Sequence, residues 1–155
     1  MFKLRDLILP YVEKFDWLPG LLARVSIGFV FLQSGWGKIH HLDKVIAFFN
    51  SLGIPAANIQ APFVAGVELV CGTLVLVGLL TRGASVPLIG TMVVAILTAN
   101  RANLFDKVTG NFDLGNLLFM PEFLFIVLLL WLIVKGAGVV SLDYVLERRW
   151  EQKQR

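Results

Sequence analysis

Five charged or polar residues lie within or at the ends of the long apolar stretches of this chain, where they could bind a ligand or relay protons. They are Arg24, Lys38, Glu68, Asn100 and Glu122. A charged side chain in the middle of a bilayer costs about 2.5–3.5 kcal/mol on insertion scales, so such residues usually face the interior of a helix bundle or a wet cavity. Their placement is the strongest indication of where the chain acts.

Charged and small residues share one face of each of the first two apolar stretches, because they recur every three or four positions. The residues of these faces are Arg24, Gly28, Phe31, Gly35 and Lys38 in the first stretch and Ala61, Ala65, Glu68 and Gly72 in the second. Small residues let membrane helices approach closely, so both faces are expected to point into the bundle.

The depth of each charge decides which residues can pair. Arg24 lies near the inner end of the first stretch, and its depth differs from that of Glu68 by roughly 10–15 Å at the rise of an α-helix. Lys38 is therefore the better partner for Glu68. Asn100 and Glu122 lie at the same outer level, which predicts an outer cluster of Lys38, Glu68, Asn100 and Glu122. Arg24 stands apart, and backbone carbonyls, water, lipid phosphate and another chain are all open as its partner.

Two interpretations of the outer cluster stay open. In the first, it is a polar pocket that binds a quinone-like or other small ligand, or that relays protons. In the second, it is a buried ion pair with hydrogen bonds that fixes the register of the helices. Two neighbouring carboxylates favour proton transfer, but they also occur in inert networks.

Composition places the chain in the membrane. Of its 155 residues 57% are apolar and 16% are charged, and the charges cluster between the apolar runs, whereas soluble domains carry about 25% charged residues. We predict an all-α fold, a membrane four-helix bundle over residues 18–140. Its spans are expected at about 18–37, 62–80, 84–100 and 117–134, each a run of apolar residues of nearly membrane-crossing length.

Shorter elements are expected around these spans. Apolar residues at helical spacing predict an interfacial helix in residues 1–17, with a loosely ordered tail as the alternative. A second short helix, which lies in the interface or caps the bundle, is expected over residues 44–52, with Asp43 as its N-cap and Gly53 at its end. Thr81, Arg82 and Gly83 are expected to form the turn between the second and third spans. Residues 141–155 form a charged tail.

Charge asymmetry predicts the orientation. With four spans, nine Lys and Arg residues lie on the side of the termini and four on the other. The positive-inside rule then places both termini of this multi-pass protein in the cytoplasm.

Several function classes lack support. There is no basic block with interleaved aromatic residues, so nucleic acid is not indicated as a partner. The single cysteine, Cys71, lies in an apolar run, and we interpret it as a small packing residue. Adjacent His40 and His41 point in different directions, so no metal site is predicted. Without a cofactor motif or reactive thiol, an independent enzyme is not indicated, and at most the chain is an oxidoreductase subunit.

Ordered motifs resemble the DoxX family over roughly residues 21–144. They are Arg24-x3-Gly28 with Gly35-x-Gly37-Lys38, then Leu52-Gly-Ile-Pro55, Glu68-Leu-x2-Gly72-x-Leu74, Gly78-Leu-x-Thr81-Arg82, an acidic Glu122 and Ser141-Leu-Asp143. The usual glycine pair of the second helix is Cys71-Gly72 here. The resemblance implies a four-helix bacterial or archaeal membrane protein, and we expect it in the bacterial inner (plasma) membrane. Arg24, Lys38 and Glu68 are motif positions of the family without a settled catalytic role.

The resemblance and the polar cluster together predict a membrane subunit of a redox or oxidative-stress system. Quinone, or a similar apolar small molecule, is the cofactor that the cluster would bind. The alternative is a membrane scaffold or assembly factor whose buried polar network is structural. A transporter is a third possibility, in which the spans would have to oligomerise. The expected partners are the lipid bilayer and other protein subunits or further copies of the chain.

Overall fold

The computed structural model describes Phe15, residues 17–105 and residues 111–153 of the chain. Within these residues the protein is all-helical, as predicted, and a single β-bridge joins Phe105 to Phe112. The helices are α1 (Trp17–His40), α2 (Leu42–Ser51), α3 (Ala57–Val77), α4 (Thr81–Leu97), α5 (Leu114–Leu118), α6 (Pro121–Lys135) and α7 (Leu142–Lys153), with a 3-10 helix at Arg101–Leu104. The predicted interfacial segment 1–17 lies almost entirely outside the described residues.

The bundle has two ends, which we name by their residues. The outer end holds Lys38, α2 and residues 98–105 and 111–122. The inner end holds Arg24, the turn between α3 and α4, and the segment between α6 and α7. These names describe positions in the bundle, and its orientation in the membrane is argued below.

The turn between α3 and α4 lies earlier in the chain than the predicted turn at Thr81–Gly83. Helix α3 ends at Val77, and Gly78 follows with φ of +73°. The Leu79 N–H donates to Leu74 O at 2.9 Å, which is the Schellman closure of a helix by a left-handed residue. Glycine adopts this conformation without a steric cost. Thr81 and Arg82 therefore belong to the first turn of α4.

Two other predicted boundaries differ. Asp43 lies in the first turn of α2 and is not its cap, because His41 occupies the N-cap position and makes no side-chain cap bond there. The fourth predicted span divides in two: Leu117 lies in α5, and α6 begins at Pro121. Proline is favoured at the start of a helix, where its missing N–H has no intrahelical partner.

Close contact between α1 and α3 depends on glycines of both predicted faces. A Cβ atom added at Gly28 would lie 2.6 Å from the Cα of Leu76, and one added at Gly72 would lie 2.7 Å from the backbone N of Leu32. Gly35 faces the backbone of Leu69 in the same way. The prediction that the small residues face the bundle interior is confirmed.

The other helices complete the bundle around an apolar core. Helix α4 packs against α3 and α6, and α2 lies over α3 at the outer end. Buried side chains from α1, α3, α4 and α6 form one cluster: Ile27, Phe31, Val75, Ala84, Leu88, Met92, Leu129 and Leu132. This core fixes the helices that carry the polar residues.

Two of the described helices, α1 and α3, are long and apolar enough to cross a membrane, and α4 is a shorter apolar helix of 17 residues. Helix α6 has 15 residues, which corresponds to about 22 Å at 1.5 Å per residue. Large apolar side chains such as Phe29, Phe63 and Leu130 are exposed on the outside of the bundle. An apolar exterior of this kind suits contact with lipid.

Candidate functional site

A buried ion pair joins α1 to α3 at the outer end. Lys38 Nζ lies 2.5 Å from Glu68 Oε1, and Ser34 Oγ donates to Glu68 Oε2 at 2.8 Å. Glu68 is only 1% exposed, whereas 29% of the Lys38 side chain is exposed. Both carboxylate oxygens of Glu68 are thus hydrogen-bonded. The predicted pairing of Glu68 with Lys38 is present, and Ser34 was missed although it lies four residues before Lys38, on the same face.

A second polar pair joins the residues after α4 to the start of α6. Asn100 Nδ2 donates to Glu122 Oε1 at 2.9 Å. The other carboxylate oxygen, Oε2, is buried and has no hydrogen-bond partner among the described residues. A buried acceptor without a partner is unfavourable by about 1–3 kcal/mol. Glu122 therefore has an unused capacity to accept a hydrogen bond.

The two pairs border one cavity of about 780 Å³ at the outer end. Its wall includes three of the predicted residues, Lys38, Glu68 and Glu122, whereas Asn100 is not part of this wall. The other polar side chains of the wall are those of Ser34, Lys44, Gln60, Thr91 and Thr98. Most of the wall is apolar, and ligand sites in proteins commonly combine such a wall with a few polar groups at volumes of about 300–1,000 Å³.

Helix α2 forms the roof of this cavity. Val45, Phe48, Phe49 and Leu52 line it from above, so the short helix predicted at the interface also covers the site. The cavity wall also reaches the side of the bundle, because Phe63 and Val94 both line the cavity and are exposed on the exterior. An apolar molecule dissolved in the bilayer would meet the cavity at this side.

A second cavity, of about 680 Å³, lies beside the first and is more polar. Its polar wall consists of Asn100, Asn103, Asp113, Asn116 and Glu122. Glu122 lines both cavities, so its carboxylate stands between a polar region and an apolar one. Spacing along the chain did not indicate the second cavity, because it is formed by the irregular segment between α4 and α6.

Arg24 lies in the other half of the bundle and takes no part in the outer cluster. Its guanidinium donates from Nη1 to Ala137 O and from Nη2 to Val140 O, each at 2.7 Å. The residue is 3% exposed. Of the partners that the sequence left open for Arg24, the structure shows backbone carbonyls. Arg24 therefore ties α1 to the segment that follows α6.

The Ser141-Leu-Asp143 motif completes the inner end. Asp143 Oδ1 accepts from the Leu80 N–H at 2.8 Å and Oδ2 from the Thr81 N–H at 3.2 Å. The first amides of a helix have no intrahelical acceptor, and a carboxylate normally supplies one from a neighbouring position in the sequence. Here the carboxylate comes from 62 residues further along the chain. The motif therefore holds α4 in place from the start of α7.

The remaining candidates have local partners. His40 Nδ1 lies 2.9 Å from Trp36 O and His41 Nδ1 lies 3.0 Å from Gly37 O, each within its own helical turn. The described residues contain no group of three His, Cys, Asp or Glu side chains that could hold a metal ion. Cys71 is half-buried and packs against the apolar core.

Comparison with known proteins gives the class of the molecule. A helical bundle with membrane-length apolar helices and a polar cluster inside defines a helical membrane protein. The DoxX family model matches residues 20–101, which is more than half of the chain. The chain therefore belongs to the DoxX family.

Relatives agree with the membrane assignment. The chain is 38% identical over 136 residues to "Uncharacterized membrane protein Rv3486" of Mycobacterium tuberculosis, covering 83% of this chain and 82% of that protein. It is 27% identical over 140 residues to "Inner membrane protein YqjF" of Escherichia coli, covering 90% of this chain and 100% of that protein.

A third relative carries a functional name. The chain is 38% identical over 78 residues to "Putative oxidoreductase CatD" of Bacillus subtilis, which covers 50% of this chain and 57% of that protein. No solved structure matches the chain significantly.

Proposed function

We propose that the protein is a membrane subunit of a redox or oxidative-stress system that binds a quinone, or a similarly apolar small molecule, in the outer cavity. The observation that carries this proposal is the cavity of about 780 Å³, with apolar walls and with Lys38, Glu68 and Glu122 on its border. A quinone needs this combination, because its ring and tail are apolar while its oxygens require hydrogen bonds.

The residues of the cavity fit such a ligand. The Lys38 ammonium has three N–H groups, and Glu68 Oε1 takes one of them, so Lys38 can also donate to a ligand oxygen. The rings of Phe31 and Phe125 lie 5.8 Å apart at a tilt of 56° and both line the cavity, where they offer contacts to a ligand ring. A bound quinone would supply two-electron chemistry, and these side chains would bind and orient it.

Two further observations support the proposal. The wall of the cavity extends to the lipid-facing side chains Phe63 and Val94, which gives an apolar molecule a lateral approach. The relative CatD, which matches half of this chain, is named as a putative oxidoreductase.

A scaffold or assembly role is the second candidate, and the full pairing of Glu68 favours it. Lys38 and Ser34 satisfy both carboxylate oxygens without a ligand, and the pair lies beside the close glycine contact of α1 with α3. In this role the network sets the register of the two helices, and the cavity holds lipid chains only.

Ligand extraction separates the two roles. The protein would be purified in mild detergent, and bound quinones and lipids would be extracted and identified by mass spectrometry. Lys38→Met and Glu68→Gln would be compared with Glu151→Gln, a change of the same chemistry on an exposed residue of α7. The proposal requires less quinone in both cavity variants and parental amounts in the control. If every folded variant keeps the parental amount of quinone, or if the parent holds no quinone, the proposal fails and the scaffold role is favoured.

We propose further that the chain crosses the inner membrane four times, with both termini in the cytoplasm. The relative YqjF is named as an inner membrane protein, and the Lys and Arg distribution favours this orientation. A fluorescent protein fused after Arg155 should fold and fluoresce, whereas a periplasm-dependent phosphatase at the same position should be inactive. The reverse pattern would place the C-terminus outside.

A further inference from the structure

Glu122 lines the outer cavity and uses only one of its two carboxylate oxygens in a hydrogen bond among the described residues. Its Oε1 accepts from Asn100 Nδ2, while its Oε2 is buried without a partner among the described residues. Each of the two oxygens of Glu68, the other acid on the cavity wall, is already hydrogen-bonded. Of the two acids on this wall, Glu122 is the one with a carboxylate oxygen that has no hydrogen-bond partner among the described residues.

A ligand can use this acceptor only if it brings a donor. The terminal torsion of a glutamate side chain is broad, so rotation of the carboxylate can bring one of its oxygens to the surface of the cavity that Glu122 lines. An ionised carboxylate accepts hydrogen bonds and donates none. A ligand hydroxyl would satisfy Oε2, whereas a ligand carbonyl at the same place would meet another acceptor and leave the oxygen unpaired.

We propose that Glu122 makes the cavity select an apolar ligand that carries a hydroxyl group, so that a quinol binds more tightly than the corresponding quinone. This inference rests on the ligand site of the proposed function and deepens it by naming the redox form. Lys38 can serve both forms, because an ammonium can donate to a hydroxyl oxygen as well as to a carbonyl oxygen.

Replacement of Glu122 by glutamine tests the proposal with little change of shape. The Gln carbonyl retains the hydrogen bond from Asn100, and its amide nitrogen replaces Oε2 by a donor. Binding of a short-chain benzoquinol, its benzoquinone and its dimethyl ether would be measured anaerobically by calorimetry in detergent. We expect the parent to prefer the quinol over both other compounds by about tenfold, and Glu122→Gln to abolish or reverse that preference.

The outcomes separate this inference from the proposed function. Equal binding of all three compounds by the parent, or an unchanged preference in Glu122→Gln, overturns the role of Glu122 and leaves the cavity as a ligand site. Binding of none of the compounds by the parent overturns both. If Glu122→Gln does not fold, the parent protein decides: it must prefer the quinol over the benzoquinone, which is close to it in size, and over the dimethyl ether, which keeps the aromatic ring and both oxygens but has no donor. Glu151→Gln serves as the matched control and should keep the parental preference.

Discussion

The Arg24 guanidinium donates to the carbonyl oxygen of Val140 at 2.7 Å, so the first helix of the bundle is tied to the last segment before α7. A second bond from the same side chain reaches Ala137 O. One buried cation thus satisfies two carbonyls of the irregular segment between α6 and α7, which have no helical partner. The charge in the inner half of the first stretch is therefore explained by closure of the bundle.

Removal of the Arg24 guanidinium should destabilise the protein. In Arg24→Met both carbonyls lose their donors, and we expect a loss of about 2–3 kcal/mol in the free energy of unfolding. Unfolding would be measured by circular dichroism in a mild detergent with increasing denaturant. Arg82→Met is the control, because Arg82 is an exposed cation at the same end of the bundle, and its loss should cost about 0.5 kcal/mol or less. Equal stabilities of the two variants would contradict a closing role for Arg24.

The Asp143 carboxylate should slow hydrogen exchange at the amides where α4 begins. Its carboxylate accepts from the Leu80 and Thr81 N–H groups, and loss of a helix cap typically costs about 1 kcal/mol. We expect Asp143→Ala to accelerate hydrogen exchange at these two amides, as read by mass spectrometry. Glu147→Ala, one helical turn further along α7, should leave the exchange unchanged. Parental exchange in Asp143→Ala would show that the cap does not protect the turn.

Glycine substitutions in the first and third helices should have opposite effects. A Cβ at Gly28 would lie 2.6 Å from the backbone of Leu76, so Gly28→Ala must separate α1 from α3 and should cost about 1–3 kcal/mol. A Cβ at Gly66 meets no atom within 4 Å, so Gly66→Ala in α3 should stabilise its helix by about 0.5–1 kcal/mol. Thermal unfolding in detergent measures both. Destabilisation of the same size in both variants would contradict the close contact.

Sequence periodicity predicted the contacts that lie within regular helices. Steps of three and four residues placed Lys38 and Glu68 on facing surfaces of the two helices. The difference in depth between Arg24 and Glu68 argued against a direct pair of these two residues. The observed Lys38–Glu68 and Asn100–Glu122 pairs follow from that geometry. The class of fold followed from composition, because no soluble domain of this size could bury four such apolar runs.

Contacts made by irregular segments could not be predicted in this way. The carbonyls that bind Arg24 belong to Ala137 and Val140, and any residue type offers a carbonyl, so side-chain identity carried no signal. The cap that Asp143 supplies to Thr81 spans 62 residues and depends on the tertiary fold. The cavity likewise results from the placement of α2 over the bundle, which local periodicity does not specify.

Removal of Lys38 should destabilise the protein more than removal of the charge of Glu68, although the two residues form one ion pair. In Lys38→Met the buried Glu68 carboxylate keeps only Ser34, and an uncompensated buried charge typically costs about 3–5 kcal/mol. In Glu68→Gln the neutral side chain can still bond to Ser34 and Lys38, and Lys38 is partly exposed, so the loss should be about 1 kcal/mol. Unfolding in detergent measures both, and the double variant should recover part of the loss of Lys38→Met. A smaller loss in Lys38→Met than in Glu68→Gln would contradict the assignment of Glu68 as the buried charge.

Filling the cavity should prevent ligand binding without removal of a polar group. Ala95 lines the cavity from α4, and Ala95→Phe adds a ring at that wall. We expect binding of a short-chain benzoquinol to fall by about tenfold or more, because the ring takes space that a ligand of this size needs. Val93→Phe is the control, since Val93 is 39% exposed on the same helix and does not line the cavity. Calorimetry of both variants, with thermal unfolding to confirm that each is folded, measures the effect. Parental affinity in a folded Ala95→Phe protein would place the ligand outside this cavity.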